Sequence, residues 1–161
     1  MKCLPQDWIA LAVILLITFA ASGIGGYFTA QSVKAWYPTL EKPSWNPPAW
    51  VFGPVWTALY ALMAVAAWLV FRERLDHAIL APLALYGVQL ALNALWSYLF
   101  FGLRNPLAGL VEIGVLWAAI LGTLVLFWTV RPMAGWLLVP YLAWVSFAAF
   151  LNFALWRLNK G

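Results

Sequence analysis

The chain has 161 residues, of which 66% are hydrophobic and only 9% are charged. A soluble domain is about half apolar and about a quarter charged, so this composition excludes a water-soluble globular protein. The net charge of +4 is spread along the chain without a basic run, which argues against a nucleic-acid partner and favours anchoring to anionic headgroups.

Five long apolar runs follow one another along the chain. Each is long enough to cross a bilayer core as a helix, which needs about 20 residues. Backbone groups cannot stay unpaired in hydrocarbon, so helix is the form we expect for every run. The sequence predicts an all-α membrane protein that is one domain over 1–161, with helices at about 8–30, 49–71, 78–102, 106–129 and 134–156.

The first two helices are joined by a long stretch, 31–48, that is rich in proline and aromatic residues ("WYPTLEKPSWNPP"). Tryptophan and tyrosine side chains are costly to leave in water, and proline lowers the entropy lost on ordering. We therefore expect this loop to fold over the mouth of the bundle as a lid.

Polar and aromatic side chains recur at helical spacing within three of the runs. They are Trp56, Tyr60 and Met63 in helix 2, Gln89, Asn93, Trp96 and Ser97 in helix 3, and Tyr141, Trp144, Ala148 and Asn152 in helix 5. Such stripes predict an aromatic-walled cavity with amide groups, suited to a flat hydrophobic molecule. Two alternatives stay open: the amides bridge helices, and the tryptophans pack the core or anchor the helix ends.

Glu112 is a carboxylate within an apolar run of helix 4. It is protonated, paired with a cation such as Arg104, or exposed at a wet mouth. A second intramembrane acid or a histidine beside it is missing from the sequence, so a conventional acid–base enzyme is not favoured. Cys3 and His77 are the one cysteine and the one histidine, and we predict no metal site.

Small residues also recur at intervals of four. Helix 4 carries Gly114, Ala118 and Gly122, and helix 1 carries Ser22 and Gly26. Such stripes permit close helix contact within one chain or between two chains.

Three segments together resemble the translocator protein family, also called TspO, the tryptophan-rich sensory protein or the peripheral benzodiazepine receptor family. They are "WYPTLEKPSWNPPAWVFGPVW" (36–56), "ALNALWSYLFFGL" (91–103) and "VPYLAWVSFAAFLNFALWRLN" (139–159). The resemblance implies a five-helix bundle, usually a homodimer, that requires no cofactor. It also implies that the ligand is protoporphyrin IX or a haem-like tetrapyrrole, and that sterols and isoquinoline or benzodiazepine compounds bind as well.

Carried over from that resemblance, the ligand-binding positions are Tyr37, Pro47, Trp56, Asn93, Trp96, Trp144 and Ala148. Lys34 or Lys42 could meet a propionate at the mouth. Phe153 stands where animal members have a tyrosine in a sterol-recognition pattern, which puts sterol binding in doubt.

The resemblance leaves several functions open. The protein senses, transports or sequesters porphyrin; it degrades bound porphyrin in light; or it carries other small hydrophobic metabolites. We expect an integral protein of a bacterial cell membrane, with the C-terminus on the cytoplasmic side.

Overall fold

The computed structural model describes residues 4–160, which form five helices long and apolar enough to cross a membrane. The helices are α1 (Pro5–Val33), α2 (Ala49–Arg72), α3 (Leu80–Ser97), α4 (Pro106–Val130) and α5 (Pro132–Leu158). The prediction of an all-helical membrane protein is confirmed. Cys3 lies outside the described residues.

Three helices begin at prolines that our sequence reading placed outside or at the edge of the apolar runs. Pro5, Pro106 and Pro132 occupy the first turns of α1, α4 and α5. Proline fits there because its fixed φ suits a helix and the missing N–H would be unpaired anyway. At α4, the Asn105 side chain also accepts a hydrogen bond from the backbone N–H of Ala108 at 3.0 Å. The observed helices α1 and α5 therefore extend beyond the predicted bounds at both ends.

The end of the third apolar run is wound differently from the rest. Residues Tyr98–Gly102 form a π-helical segment that continues α3, and the backbone N–H of Leu103 donates to the carbonyl of Tyr98 at 2.8 Å. Single π turns are rare in proteins, and many of those that occur lie at functional sites. The sequence reading placed an ordinary helix here as far as residue 102.

The helices form a closed ring. Going round it, the order of packed neighbours is α1, α2, α5, α4, α3 and back to α1. The core inside the ring is apolar and includes Met63, Leu116, Ile120, Phe127 and Leu138, each at most 1% exposed. Only four residues of α1 are buried, at its contacts with α2, α3 and the π segment, so much of its surface is free to face lipid.

The two ends of the bundle differ. At one end an ion pair joins Asp7 of α1 to Arg74, with 2.7 Å between Asp7 Oδ1 and Arg74 Nη1, and a second ion pair joins Glu73 to Arg131. At the other end lies the α1–α2 connection, residues 34–48, which contains a short 3-10 helix at Tyr37–Thr39. We call this second end the connection end.

Candidate functional site

A cavity of about 440 Å³ occupies the half of the bundle nearest the connection end. Its lining comes from α1, α2, α3 with its π segment, α5, and Tyr37 of the α1–α2 connection. The volume falls within the range of roughly 300–1,000 Å³ that small-molecule sites occupy. The cavity lies between α1, α2, α3 and α5. Helix α4 packs against α3 and α5 away from the cavity, and none of its residues lines it.

Three tryptophans from three helices face this cavity: Trp56, Trp96 and Trp144. The ring of Trp56 packs edge-on against Tyr141 at 6.2 Å, and the ring of Trp144 packs edge-on against Phe52 at 6.0 Å. Edge-to-face contacts of this kind fix ring orientation as well as burying area. The wall is therefore built from rings that hold one another in place.

The π segment adds two more rings to the wall. Phe100 stacks on Trp96 with 5.2 Å between ring centroids and 18° between planes, while Phe101 meets Trp96 edge-on at 5.9 Å. Phe100 and Phe101 are consecutive residues, yet both are buried and both line the cavity. The sequence analysis did not select Phe100 and Phe101 as cavity residues. The available signal was a pair of aromatic residues directly before Gly102, at the end of the third apolar run.

A chain of hydrogen bonds forms the cavity floor and joins three helices. Tyr60 donates to Asn93 Oδ1 at 2.7 Å, Asn93 Nδ2 donates to the hydroxyl of Tyr141 at 2.8 Å, and that hydroxyl donates to Gln89 Oε1 at 2.9 Å. Gln89 Nε2 then points to the sulfur of Met63 at 3.8 Å. Buried polar groups are paired in this way because an unpaired one is costly.

Asn93 therefore uses both ends of its amide to hold helices together. The interpretation that the helix 3 amides bridge helices is confirmed for Asn93 and Gln89. Asn93 also lines the cavity, so the floor of the cavity and the bridge are the same side chain.

A second amide fixes the wall tryptophan of α3. Asn152 Oδ1 accepts from Trp96 Nε1 at 3.1 Å, and Asn152 Nδ2 donates to the carbonyl of Pro106 at 2.8 Å. Trp144 differs, because its buried Nε1 has no hydrogen-bond partner among residues 4–160. Such unpaired buried donors are uncommon.

Of the seven predicted ligand-binding residues, six line this one cavity and one does not. Tyr37, Trp56, Asn93, Trp96, Trp144 and Ala148 share it, whereas Pro47 is absent from the lining. The carbonyl of Pro47 instead accepts a hydrogen bond from Asn46 Nδ2 at 3.0 Å. A ligand-binding role for any of the seven stays a prediction.

The sequence reading also missed the side of the cavity that α1 forms. Ser22, Gly25, Gly26, Thr29 and Ala30 line it. Their small side chains carry no aromatic or amide signal. The stripe of Ser22 and Gly26, which we considered as a helix contact, faces the cavity instead.

Hydrogen bonds within the α1–α2 connection hold its shape beside the cavity, which Tyr37 lines. The hydroxyl of Tyr37 donates to Asn46 Oδ1 at 2.7 Å, and Lys42 Nζ donates to the carbonyls of Leu40 and Pro38 at 2.8 and 3.2 Å. Burial raises the pKa of Tyr37 to about 12, against the smaller effect of its bond to Asn46. The tyrosine is therefore neutral, and able to donate, throughout the physiological range.

A reciprocal pair of hydrogen bonds ties the connection to the end of α5. The backbone N–H of Glu41 donates to Asn159 Oδ1 at 3.0 Å, and Asn159 Nδ2 donates back to the carbonyl of Glu41 at 3.0 Å. The same amide nitrogen also donates to the carbonyl of Leu155 at 2.8 Å. One side chain thus locks the connection onto the last turn of α5.

Glu112 is buried, and neither of its carboxyl oxygens has a hydrogen-bond partner among residues 4–160. The pairing with Arg104 that we considered is not formed, since Arg104 is exposed in the turn before α4. The φ angle of Arg104 is 52°, the one positive value outside glycine in the described chain. The described residues contain no cluster of three metal-ligating side chains.

The fold and the cavity together define a class: an integral α-helical membrane protein with an aromatic-walled cavity between its helices. Within that class the chain belongs to the TspO/MBR family, whose sequence model matches residues 12–157.

Named relatives support this membership over nearly the whole chain. A tryptophan-rich protein TspO of Chlorobaculum tepidum is 43% identical over 94% of this chain and 96% of its own. The human translocator protein is 39% identical over 98% of this chain and 95% of its own. A tryptophan-rich sensory protein of Cereibacter sphaeroides is 40% identical over 96% and 94%.

Proposed function

We propose that the protein binds a protoporphyrin-like tetrapyrrole in the cavity between α1, α2, α3 and α5. The observation that carries the proposal is the convergence of Trp56, Trp96 and Trp144 on one apolar space. Flat aromatic molecules gain both buried area and ring contacts against such walls. Family membership supports the same ligand class through the resemblance described above.

Recognition in this proposal is by shape and stacking more than by the Asn93 amide. Both ends of that amide already hold Tyr60 and Tyr141, so a ligand would lie against the floor without taking it apart. At the mouth, Lys34 directly follows the cavity-lining Val33 and is exposed, whereas Lys42 is engaged by two carbonyls. Lys34 is therefore the better candidate for a propionate.

The test compares two tryptophans of the same helix. Trp144→Ala should weaken protoporphyrin IX binding roughly tenfold or more, because truncating a central aromatic in a desolvated site is costly. Trp136→Ala is the matched control, since Trp136 is 58% exposed and does not line the cavity. Titration of intrinsic fluorescence in detergent, with a sterol titrated in parallel, gives the affinities. Equal affinities in the two variants would remove the cavity from the proposal.

The position of the floor favours binding over a channel. The cavity ends at Tyr60 and Asn93, and beyond it Met63, Ala64 and Ala67 of α2 are fully buried. A molecule that crosses the bilayer through the bundle would have to break the Tyr60–Asn93–Tyr141 chain. Protein-dependent flux of porphyrin across liposomes would favour transport instead.

Light-dependent degradation of the porphyrin is a second candidate, favoured by the same three tryptophans. An indole ring beside an excited porphyrin can transfer one electron to it, which leaves an indole radical, and dissolved dioxygen would be the oxidant that the breakdown consumes. Illumination of the complex should then give a discrete product. Bleaching at the rate of free porphyrin mixed with tryptophan would contradict this function.

We further infer a homodimer in a cell membrane of the source organism, as the family resemblance implies. The exposed face of α4 at Gly114 and Ala118 is open to a second helix. Light scattering of the purified protein in detergent measures the number of chains. Relatives come from bacteria, an archaeon and mammals, so a bacterial membrane remains part of the proposal.

A further inference from the structure

The cavity is open on one side. Five of its lining residues are exposed, and all five lie on the facing edges of α1 and α2. They are Gly26 and Ala30 on α1, and Ala49, Gly53 and Thr57 on α2. The lining residues of α3, the π segment and α5 are buried or half-buried. We call the gap bounded by these five residues the α1–α2 portal.

Space at the portal is free of protein atoms. A Cβ built on Gly26 or Gly53 meets no other heavy atom within 4 Å. One position away, a Cβ on Gly25 would meet Ser97 Oγ at 3.0 Å, because that side of α1 packs on α3. The gap is thus a property of the edge of α1 that faces α2 and not of the whole helix.

The two helices are joined away from the portal. At the far end, the ring of Trp8 packs on Trp68 at 5.7 Å, and Trp68 Nε1 donates to the carbonyl of Asp7 at 2.7 Å. Midway, Phe19 packs on Tyr60 at 6.3 Å. Nearer the connection end α1 leans on the π segment, where Ser32 donates to the carbonyl of Phe101 at 2.7 Å. The edges of α1 and α2 are therefore held together at one end and apart at the other.

The alternative route, from water through the α1–α2 connection, is closed by packing. Trp36 packs on Phe100 at 5.6 Å, and Trp45 packs on Phe147 at 5.9 Å. The Asn159 amide adds its two bonds to Glu41. Passage by this route would break several contacts at once, whereas the portal is bounded by glycine, alanine and threonine alone.

We propose that the ligand enters and leaves the cavity sideways, from the bilayer through the α1–α2 portal. This inference rests on the proposed function, since it concerns the same cavity. It fits a ligand that is already dissolved in the membrane, because the portal lies between two lipid-facing helices. The ligand class is a flat molecule that partitions into lipid before it binds.

The first test is kinetic and uses protoporphyrin IX with the full chain in lipid nanodiscs. Gly53→Phe places a ring at the rim of the portal. We expect the association and dissociation rates to fall together on the order of tenfold, because a higher barrier slows passage in both directions. Gly23→Phe is the matched control: Gly23 is equally open and exposed but does not line the cavity.

A second variant separates the two routes. Asn159→Ala releases the connection from α5, and passage through the portal predicts unchanged rates. Faster rates in Asn159→Ala, with unchanged rates in Gly53→Phe, would overturn the proposal. Failure of the proposed function looks different, because the unsubstituted protein would then not bind protoporphyrin IX at all.

A measurement that needs no ligand tests the portal even if the protein does not bind protoporphyrin IX. In a Cys3→Ser background, Ala148→Cys places one thiol on the cavity wall of α5. A hydrophobic maleimide dissolved in the bilayer should label this thiol several-fold more slowly once Gly53→Phe is added, and Gly23→Phe should have no such effect. Equal labelling rates in the two double variants would overturn the portal even if no porphyrin binds.

Discussion

Two buried polar side chains of the bundle, Gln89 and Glu112, differ in how they are satisfied. Gln89 accepts from Tyr141 at 2.9 Å and has a weak contact to Met63, whereas neither oxygen of Glu112 has a partner among residues 4–160. Burial of a polar group without a hydrogen bond costs about 1–3 kcal/mol. Removal of one partner from an existing buried hydrogen bond costs a similar amount, because it leaves the other partner unpaired.

The same substitution should therefore have opposite effects at these two positions. Glu112→Met should raise the free energy of unfolding in detergent by about 1–2 kcal/mol, since it removes an unpaired carboxyl at similar volume. Gln89→Met should lower it by about the same amount, because the hydroxyl of Tyr141 loses its acceptor. Thermal unfolding of both variants checks the pair. Destabilisation by Glu112→Met would contradict the argument, because it would mean that the carboxyl contributes a stabilising interaction.

Tyr37 gives the α1–α2 connection a dependence on alkaline pH. Burial raises the pKa of its hydroxyl to about 12, compared with about 10 for an exposed tyrosine. Its contribution to packing of the connection is therefore complete below about pH 10 and is lost as the pH rises from there towards 12.

A nitroxide on Ser44→Cys, in a Cys3→Ser background, should report this loss as increased mobility over that alkaline range. Tyr37→Phe has no proton to lose, so the mobility of its connection should stay flat with pH, at a slightly higher level because the bond to Asn46 is gone. An equal rise in mobility in the Tyr37→Phe protein would mean that another group controls the connection.

At the scale of helices, α4 and α5 are connected by a single residue, Arg131, and pack tightly beside this connection. A Cβ added to Gly135 would meet Cε3, Cβ and Cα of Trp128 at 2.7, 2.9 and 3.1 Å. The backbone atom and the root of the side chain cannot swing away, so the helices would have to separate.

Gly135→Ala should therefore lower the free energy of unfolding by about 1–3 kcal/mol, as overpacking does in other cores. Gly114→Ala on the exposed face of α4 is the control, since its Cβ meets nothing within 4 Å. There the better helix propensity of alanine should leave stability unchanged or raise it by up to about 1 kcal/mol. Chemical or thermal unfolding of the two variants side by side measures the difference, and a destabilised Gly114→Ala protein alone would contradict the packing argument.

The helices could be predicted from the sequence because hydrocarbon leaves the backbone no other form. Their order in the ring could not, because nothing in an apolar run says which neighbour it meets. The three cavity tryptophans could be predicted because each recurs at helical spacing with polar residues of the same helix. The hydrogen bonds of Asn93 could not be assigned, since its partners Tyr60 and Tyr141 are 33 and 48 residues away. The π segment was also hidden, because its winding depends on how Phe100 and Phe101 pack.

The molecule as a whole is electrically uneven between its two ends. In the described chain the connection end carries five cations and one acid: Lys34, Lys42, Arg104, Arg157, Lys160 and Glu41. The opposite end carries three of each: Arg72, Arg74, Arg131, Asp7, Glu73 and Asp76. The ion pairs Asp7–Arg74 and Glu73–Arg131 also lie at that opposite end. The excess positive charge is thus concentrated at the connection end, where we expect the lipid headgroups.

Anionic lipid should therefore stabilise the protein through the connection end. Each Lys or Arg near an anionic surface contributes about 1 kcal/mol, and salt weakens the effect. The unfolding temperature should rise when phosphatidylglycerol is added to phosphatidylcholine vesicles, and the rise should shrink in the double variant Arg157→Gln, Lys160→Gln. Arg131→Gln is the control at the opposite end: loss of its pairing with Glu73 lowers stability in both lipids, but the gain from anionic lipid should be kept. If the unfolding temperature of the double variant rises as much with phosphatidylglycerol as that of the unsubstituted protein does, the cations of the connection end do not bind anionic lipid.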